Sequence, residues 1–372
     1  MKFDRDFYKS RKILITGHTG FKGSWMCRVL LDLGADVTGY ALDPPTEPSL
    51  FELCALDKQM RSVTGDIRDL EHLNKTVMAM QPEVVIHMAA QPIVRTSYRE
   101  PVYTYETNVM GTVNILEAVR CCSSVRSVIN VTTDKVYENK EWPWGYREND
   151  ELNGFDPYSN SKSCSELVTS SYRNSFFGGN AEDDRRVAVS TCRAGNVIGG
   201  GDFAKDRIVP DCFRAVSEGK EIYVRNPSSV RPYQHVLEPV MAYLLVAMRQ
   251  YEDAGLIGSY NIGPENADCR TTAEMVDIFC SKWNAAASED RRLNKASWSG
   301  KPDSGPHEAG LLKLDCSKIK AALGWKPEWN LEKALEKTVE WYAAYLGKED
   351  VSDIMSRQIS EYLYSDQESG RL

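Results

Sequence analysis

Histidine is scarce in this 372-residue chain, and positive charge is outnumbered. His18, His72, His87, His235 and His307 are far apart in sequence, and no Cys-x-x-Cys occurs among the ten cysteines, so zinc-type ligand spacing is missing and no metal is expected. Lysine and arginine total 45 against 53 acidic residues, a formal net charge of −8. That balance disfavours nucleic acid and anionic membranes as partners, so any bound phosphate has to be held by local groups. No apolar run approaches the ~20 residues needed to span a bilayer, and the first residues, Met1-Lys2-Phe3-Asp4-Arg5-Asp6, carry no apolar signal segment. Scattered cysteines, with only Cys121-Cys122 adjacent, read as reduced thiols and a cytoplasmic protein. Repeats and low-complexity segments are also missing. What is present is ordinary for a globular chain, 42% apolar and 26% charged, and long enough for two lobes.

The most informative stretch is Ile13-Leu14-Ile15-Thr16-Gly17-His18-Thr19-Gly20-Phe21-Lys22-Gly23. Three apolar residues read as a buried parallel strand, and the segment from Ser24 to Leu31 reads as a helix closed by Gly34. Strand, glycine turn and helix give glycine spacing its meaning. Gly17 permits the sharp turn, Gly20 permits close approach to a pyrophosphate, and Gly23 permits tight helix–strand packing. The helix N-terminus adds free N–H groups and a positive dipole end. The whole loop, with His18, Thr19, Phe21 and Lys22, is the expected dinucleotide cradle.

Further strands are expected at 36–40, 61–67, 83–88, 126–133 and 186–193, with a helix over 103–120 that carries Asn108 in its interior. Alternating strand and helix argue for a Rossmann-type doubly wound parallel sheet in an α/β fold, with a smaller α/β substrate-binding lobe. Residues 1–185 would form mainly the dinucleotide domain and 186–350 mainly the second lobe, interleaved with the first; 351–372 would be a tail. Asp43, just past the second strand, is the first carboxylate able to hold a ribose, although the surrounding prolines also suit a plain loop residue. No arginine follows it directly, which favours NAD over NADP. Ala89 and Ala90 are small residues at the end of the fourth strand, where backbone can approach a flat cofactor.

A chemical constellation follows. Thr132-Thr133-Asp134-Lys135 stands at the carboxyl end of the fifth strand, where ligands gather in open parallel sheets. Pro157 and Asp156 suit a helix start, and Tyr158 and Lys162 lie one turn apart on one face of that helix. A free phenol titrates near ~10 and needs help to act as a base, which a neighbouring ammonium gives. Tyr158 can then take a hydroxyl proton while hydride leaves the same carbon. Thr133 can bond the same oxygen, and Lys162 can also hold the nicotinamide ribose.

Glycine loop, His87-Met88-Ala89-Ala90, strand-end threonine and Tyr-x-x-x-Lys in this order resemble the extended short-chain dehydrogenase/reductases. The resemblance implies a catalytic triad of Thr133, Tyr158 and Lys162, an adenine contact at Asp66-Ile67, and cofactor contacts at Ala89, Ala90 and Thr132. Asp134 narrows it to the 4,6-dehydratases of nucleotide hexoses, which follow the triad threonine with an acidic pair; here the second member is Lys135. The loop, the segment 132–148 and Gln91-Pro92-Ile93-Val94-Arg95 resemble the CDP-glucose type. CDP-glucose is therefore the expected substrate, with Asp134 as acid at the departing 6-hydroxyl and Lys135 as base at C5. To serve as base Lys135 must be neutral, and an electrostatic role for it stays open. Substrate contacts are implied at Gln91, Arg95, Asn196, Arg207, Arg231 and His307; Arg231 suits a pyrophosphate by its planar, two-pronged geometry. The same resemblance implies a homodimer, or a tetramer, paired through helices near 103–120 and 157–177. Alternatives are a GDP-mannose or dTDP-glucose 4,6-dehydratase, a sugar-nucleotide 4-epimerase, or a non-catalytic NAD-sensing regulator.

Overall fold

In the computed structural model, which describes residues 3–178, 186–300 and 310–368, the strand before the glycine loop lies inside a seven-stranded sheet. The strands are β1 (Lys12–Thr16), β2 (Asp36–Ala41), β3 (Arg61–Thr64), β4 (Val84–His87), β5 (Ser127–Val131), β6 (Ala188–Ala194) and β7 (Ser259–Ile262). Their spatial order is β7-β6-β5-β4-β1-β2-β3, and every pairing is parallel. The order reverses between β1 and β4, where a doubly wound sheet opens a crevice at its carboxyl edge. Strands β1, β4, β5 and β6 are apolar through most of their length because helices cover both faces.

The main helices are α1 (Phe21–Asp32), α2 (Leu70–Met80), α3 (Gly111–Cys121), α4 (Pro157–Tyr172), α5 (Ile208–Ser217), α6 (Leu237–Glu252), α7 (Thr272–Glu289), α8 (Leu331–Leu346) and α9 (Val351–Glu368). Asp69 caps α2, Asp156 caps α4, and Thr271 with Glu274 makes a capping box on α7. The single helix expected over 103–120 is instead a short helix, Pro101–Tyr105, then a π-turn, Glu106–Met110, then α3. The extra residue in the π-turn frees Asn108 to reach sideways. The strand expected over 61–67 ends at Thr64.

The chain after residue 186 is not a separate body. It returns β6 and β7 to the central sheet and lays α6 across β5 and β6, while α5, α7 and α8 build the second layer of packing. Gly200 lies face-on to the Trp341 ring, where any Cβ would collide with the indole, and its carbonyl accepts the Trp25 indole N–H at 3.0 Å.

The stretch expected as a tail is largely helix. Ile354, Met355, Ile359 and Tyr362 of α9 are buried, and α9 packs on α1 and α8. Its anchor is the buried Glu238 on α6, which accepts the Tyr362 hydroxyl at 2.7 Å and the backbone N–H of Trp329 at 2.7 Å. Burial, with Glu328 nearby, raises the Glu238 carboxyl from 4.5 to about 7 despite these donors. Between those two values the folded state holds a proton that the unfolded chain has released, so stability falls as pH rises through the window. Urea unfolding from pH 4.5 to 7.5 should show that fall, up to about 3 kcal/mol, and Glu238→Gln should flatten it while keeping the acceptor for Tyr362.

Candidate active site

The glycine loop is built by backbone lying on backbone. Gly17 has φ +76°, and a Cβ there would stand 2.7 Å from the Ala89 nitrogen. A Cβ on Gly23 would collide with the Gly17 carbonyl, whereas one on Gly20 would meet nothing closer than 3.6 Å. Gly20 is also the residue that caps α1, and no side chain caps it. An open, uncapped helix N-terminus above two close-packed glycines fits a dinucleotide pyrophosphate.

The side chains of the loop have mixed duties. His18 is buried against Gly39 and bonds Ser62 Oγ at 2.7 Å, and burial lowers its pKa to about 4. It is a neutral packing residue, so only its backbone faces a ligand. Thr19 donates to the Leu42 carbonyl at 2.9 Å, tying the loop to the segment that carries the exposed Asp43. Phe21 begins α1, and its ring lies close to Gly199. Lys22 donates to the Tyr243 hydroxyl at 3.3 Å; burial, then Arg207 and Lys162, lower it to about 7.

At the neighbouring strand ends, Asp66 binds Arg68 in an ion pair at 2.7 Å, which holds its carboxyl below the usual range, and Ile67 is buried against Gly111. Thr16 Oγ1 accepts the Met88 and Ala89 N–H groups, both at 3.1 Å, and bonds His87 Nδ1 at 2.7 Å, fixing the turn into Ala89 and Ala90. Gln91, expected at the substrate, is corrected by its surroundings. Its side chain is buried, donating to Thr104 Oγ1 at 2.8 Å and accepting the Ile93 N–H at 2.6 Å. It clamps this turn rather than facing a ligand. Asn108 closes the clamp: it accepts the Gln91 N–H at 2.8 Å and donates to Ser161 Oγ on α4 at 2.8 Å.

At the end of β5 the chemistry converges. Thr133 donates to Asp134 Oδ1 at 3.0 Å and lies within hydrogen-bonding reach of the Tyr158 hydroxyl. Asp134 is buried, and burial raises its pKa, with Lys135, Thr133 and Arg231 opposing. Its Oδ2 has no hydrogen-bond partner and lies beside Gly195, where a Cβ would be 2.9 Å away. A carboxyl that favours its proton and keeps one oxygen free is suited to donate that proton. Lys135 is half-buried beside it, its N–H bonded to Thr133 Oγ1 at 3.4 Å.

One expectation changes here. Tyr158 is raised by burial to about 12, and the groups that oppose this are the Thr133 hydroxyl and the Arg207 charge. The Lys162 ammonium donates instead to the Val131 carbonyl at 3.1 Å, and burial lowers it to about 8. A shared helix face does not by itself aim the ammonium at the phenol. Thr132 is turned away from the cleft, donating to Glu166 at 2.5 Å.

Of the expected substrate groups, Arg207 caps α5 and pairs with Asp202 at 3.5 Å, while Arg95 lies 4.0 Å from Asp206 on the neighbouring loop. Arg231 is buried, donates to the Val230 carbonyl at 3.0 Å, and lies near enough to Asp134 to lower its pKa. Asn196 is half-exposed, and its carbonyl accepts the Gln234 N–H at 3.0 Å. His307 lies outside the described residues. Among the described residues no cluster of His, Cys, Asp or Glu can hold a metal. Sequence reasoning missed Glu166 and Arg193, a buried ion pair at 2.8 Å next to Lys162; the available signal was that Glu166 continues the Tyr158–Lys162 face by one more turn.

The family model for GDP-mannose 4,6 dehydratase matches residues 14–338. The CDP-glucose 4,6-dehydratase of Salmonella typhimurium is 48% identical over 361 residues, 97% of this chain and 98% of that protein. Among solved structures, the DesIV double mutant, a dTDP-glucose 4,6-dehydratase from Streptomyces venezuelae with NAD and DAU bound, superposes with a TM-score of 0.73 at 26% identity, covering 92% of this chain and 99% of that one. The UDP-glucose 4-epimerase of Thermotoga maritima superposes at 0.74 with 23% identity, over 90% and 99% of the two chains, a likeness of fold.

Arg231→Ala should weaken sugar-nucleotide binding by about 10- to 100-fold, the scale of a lost charge-assisted bond. Titration calorimetry beside thermal unfolding checks it; unchanged affinity with lowered stability would make Arg231 purely structural.

Proposed function

The chain belongs to the GDP-mannose 4,6-dehydratase family, and from that membership we propose that it converts CDP-D-glucose to CDP-4-keto-6-deoxy-D-glucose and water. The observation that carries the reading is the buried, proton-favouring Asp134, with its free Oδ2, beside Thr133, Lys135 and Tyr158 at one strand end. A 4-epimerase cleaves no C6–O6 bond and has no use for such an acid.

NAD, when bound at the glycine loop, takes up a hydride and later returns it, so the reaction has no net redox change. The chain's own residues handle the protons. Tyr158 takes the O4 proton as the 4-hydroxyl becomes a ketone, with Thr133 aiming the same oxygen. The ketone acidifies the C5 hydrogen, Lys135 removes it, and Asp134 gives its proton to O6, which leaves as water; C5 then takes a proton back from Lys135, which exchanges with solvent, as hydride is returned to C6. Arg231, Arg207, Arg95 and Asn196 hold the nucleotide diphosphate, and backbone at Gly17, Gly20 and Gly23, with Ala89, Ala90, Asp43 and Asp66, holds the cofactor. The product is a 4-keto-6-deoxy nucleotide sugar, a precursor type for the deoxysugars of lipopolysaccharide O-antigen. The ten cysteines are unpaired, which suits a cytoplasmic site of action.

The functional unit is a homodimer in this reading. Val102, Met110, Leu167 and Phe176 are 69, 50, 58 and 43% exposed and lie on the helical segments from 101 to 121 and from 157 to 177. Pairing those segments between two copies would bury this apolar surface.

With NAD present and CDP-glucose, dTDP-glucose, UDP-glucose and GDP-mannose offered separately, 4-keto product should form fastest from CDP-glucose. In deuterated water that product should carry solvent deuterium at C5; its complete absence would remove the elimination step. The double variant Val102→Glu with Leu167→Glu should sediment as a monomer where the native chain sediments as a dimer or tetramer.

A further inference from the structure

A heavily bonded buried charge lies outside the groups given a chemical step above. Tyr158, Lys162 and Glu166 follow one another at four-residue spacing along one face of α4. The Glu166 carboxylate accepts Thr132 Oγ1 from the end of β5 at 2.5 Å, Thr191 Oγ1 from β6 at 2.6 Å, and Arg193 Nη2 from β6 at 2.8 Å. Both members of the Glu166–Arg193 pair are almost completely enclosed, with side chains 2% and 3% exposed. The other prong of Arg193 donates to the Tyr137 hydroxyl at 2.8 Å and to the Glu148 carbonyl at 3.0 Å. Tyr137 passes the chain on to Asn261 Oδ1 of β7 at 2.6 Å. Tyr137 directly follows the Asp134–Val136 turn, and Thr132 directly precedes Thr133.

We infer that the Glu166–Arg193 pair positions the active site: it locks the Tyr158–Lys162 helix to both ends of the Thr133–Val136 segment, and its carboxylate holds the Lys162 side chain as an ammonium. The inference rests on the dehydratase reading above and deepens it.

A buried ion pair is an inefficient way to stabilise a fold, since apolar residues of the same volume do as well. What it supplies here is geometry and sign of charge. The hydroxyls of Thr132 and Thr191 leave the carboxylate little freedom, so a shift of α4 would have to break bonds to two strands at once. The electrostatic part follows from what faces Lys162. Val131 offers its carbonyl. Tyr158 and Glu166 share its helix. His87 on β4 is neutral, because burial lowers it to about 3. Lys22 on α1 is a second cation, itself lowered to about 7. Around Glu166 stand Arg193 and Cys192 on β6 and Arg173 just after α4. Within this set Glu166 is the carboxylate that favours the charged form of Lys162, against burial that pulls it to about 8.

The signs of two substitutions are therefore opposite. Glu166→Gln keeps the shape and one acceptor oxygen, sets its amide N–H against the other threonine hydroxyl, which can turn to accept, removes the negative charge and leaves Arg193 unbalanced, so Lys162 should lose its proton at lower pH. Arg193→Met leaves the carboxylate unbalanced, so Lys162 should keep its proton to higher pH. Thr191→Val removes a neutral donor and should leave the titration where it is.

The experiment is the pH dependence of kcat/KM for the native chain and the three variants, each first shown folded by circular dichroism, with NAD and CDP-glucose. This parameter reports the free enzyme. The basic limb should move down by about one pH unit in Glu166→Gln and up in Arg193→Met, a displacement of the size one nearby charge produces, and stay in place in Thr191→Val. Variants that lose rate without moving the limb, or that move it in the same direction, would overturn the electrostatic role; should Glu166→Gln not fold, an upward shift in Arg193→Met decides for the inference and any other result against it. Failure of the substrate reading shows separately, as a native chain that does not dehydrate CDP-glucose. The limbs would then be read with whichever nucleotide sugar the native chain does turn over.

Discussion

Backbone packed on backbone at Gly17 is the constraint from which the rest of this active site follows. Its Cα lies so close to Ala89 that a side chain has no room, and Gly23 seals the same junction from the helix side. Because neither position carries a Cβ, the N-terminus of α1 comes down onto the carboxyl edge of the sheet, next to the end of β4. That edge is where β5 delivers Thr133 and Asp134. A ligand held by the helix terminus is therefore within reach of the proton-handling groups without any long loop to position it.

Burial acts on those groups in opposite directions, and the opposition is useful. It raises Asp134 and Tyr158, so both favour their protonated forms, and it lowers Lys162 and Lys22. Asp134 thus keeps the proton that an elimination has to give, and the amines release theirs more readily than in water; Tyr158 has to lose its own proton before it can act as base at O4, and the Thr133 hydroxyl and Arg207 charge favour that loss. The structure limits the drift with specific partners: Thr133 and Arg207 for Tyr158, Glu166 for Lys162. Thr133 and Arg207 reach Tyr158 from other elements, whereas Glu166 shares α4 with Lys162 and is itself held by Thr132, Thr191 and Arg193.

The two halves of the chain are joined through the sheet itself. β6 and β7 extend it on the side of β5, and α6 covers β5 and β6 while anchoring α9 through Glu238. The groups on the second half consequently lie within electrostatic reach of the strand-end residues, Arg231 of Asp134 and Arg207 of Tyr158.

The sequence alone determined the features that rest on short-range periodicity and on glycine: strand, glycine turn and α1; the placement of six of the seven strands; the Tyr158–Lys162 helix with Asp156 as its cap; and the order of the residues at the end of β5. These are settled within a few turns of chain, where dihedral preference and apolar spacing act. Only the tertiary structure decided that Gln91 turns inward, that His18 packs neutrally under β2, that Lys162 bonds Val131, that Asn108 sits in a π-turn, and that residues 351–368 form a docked helix. In each case a polar group had several chemically acceptable partners. Which one it takes depends on which strand or helix arrives beside it from far along the chain, as Arg193 arrives beside Glu166, and no local pattern carries that information.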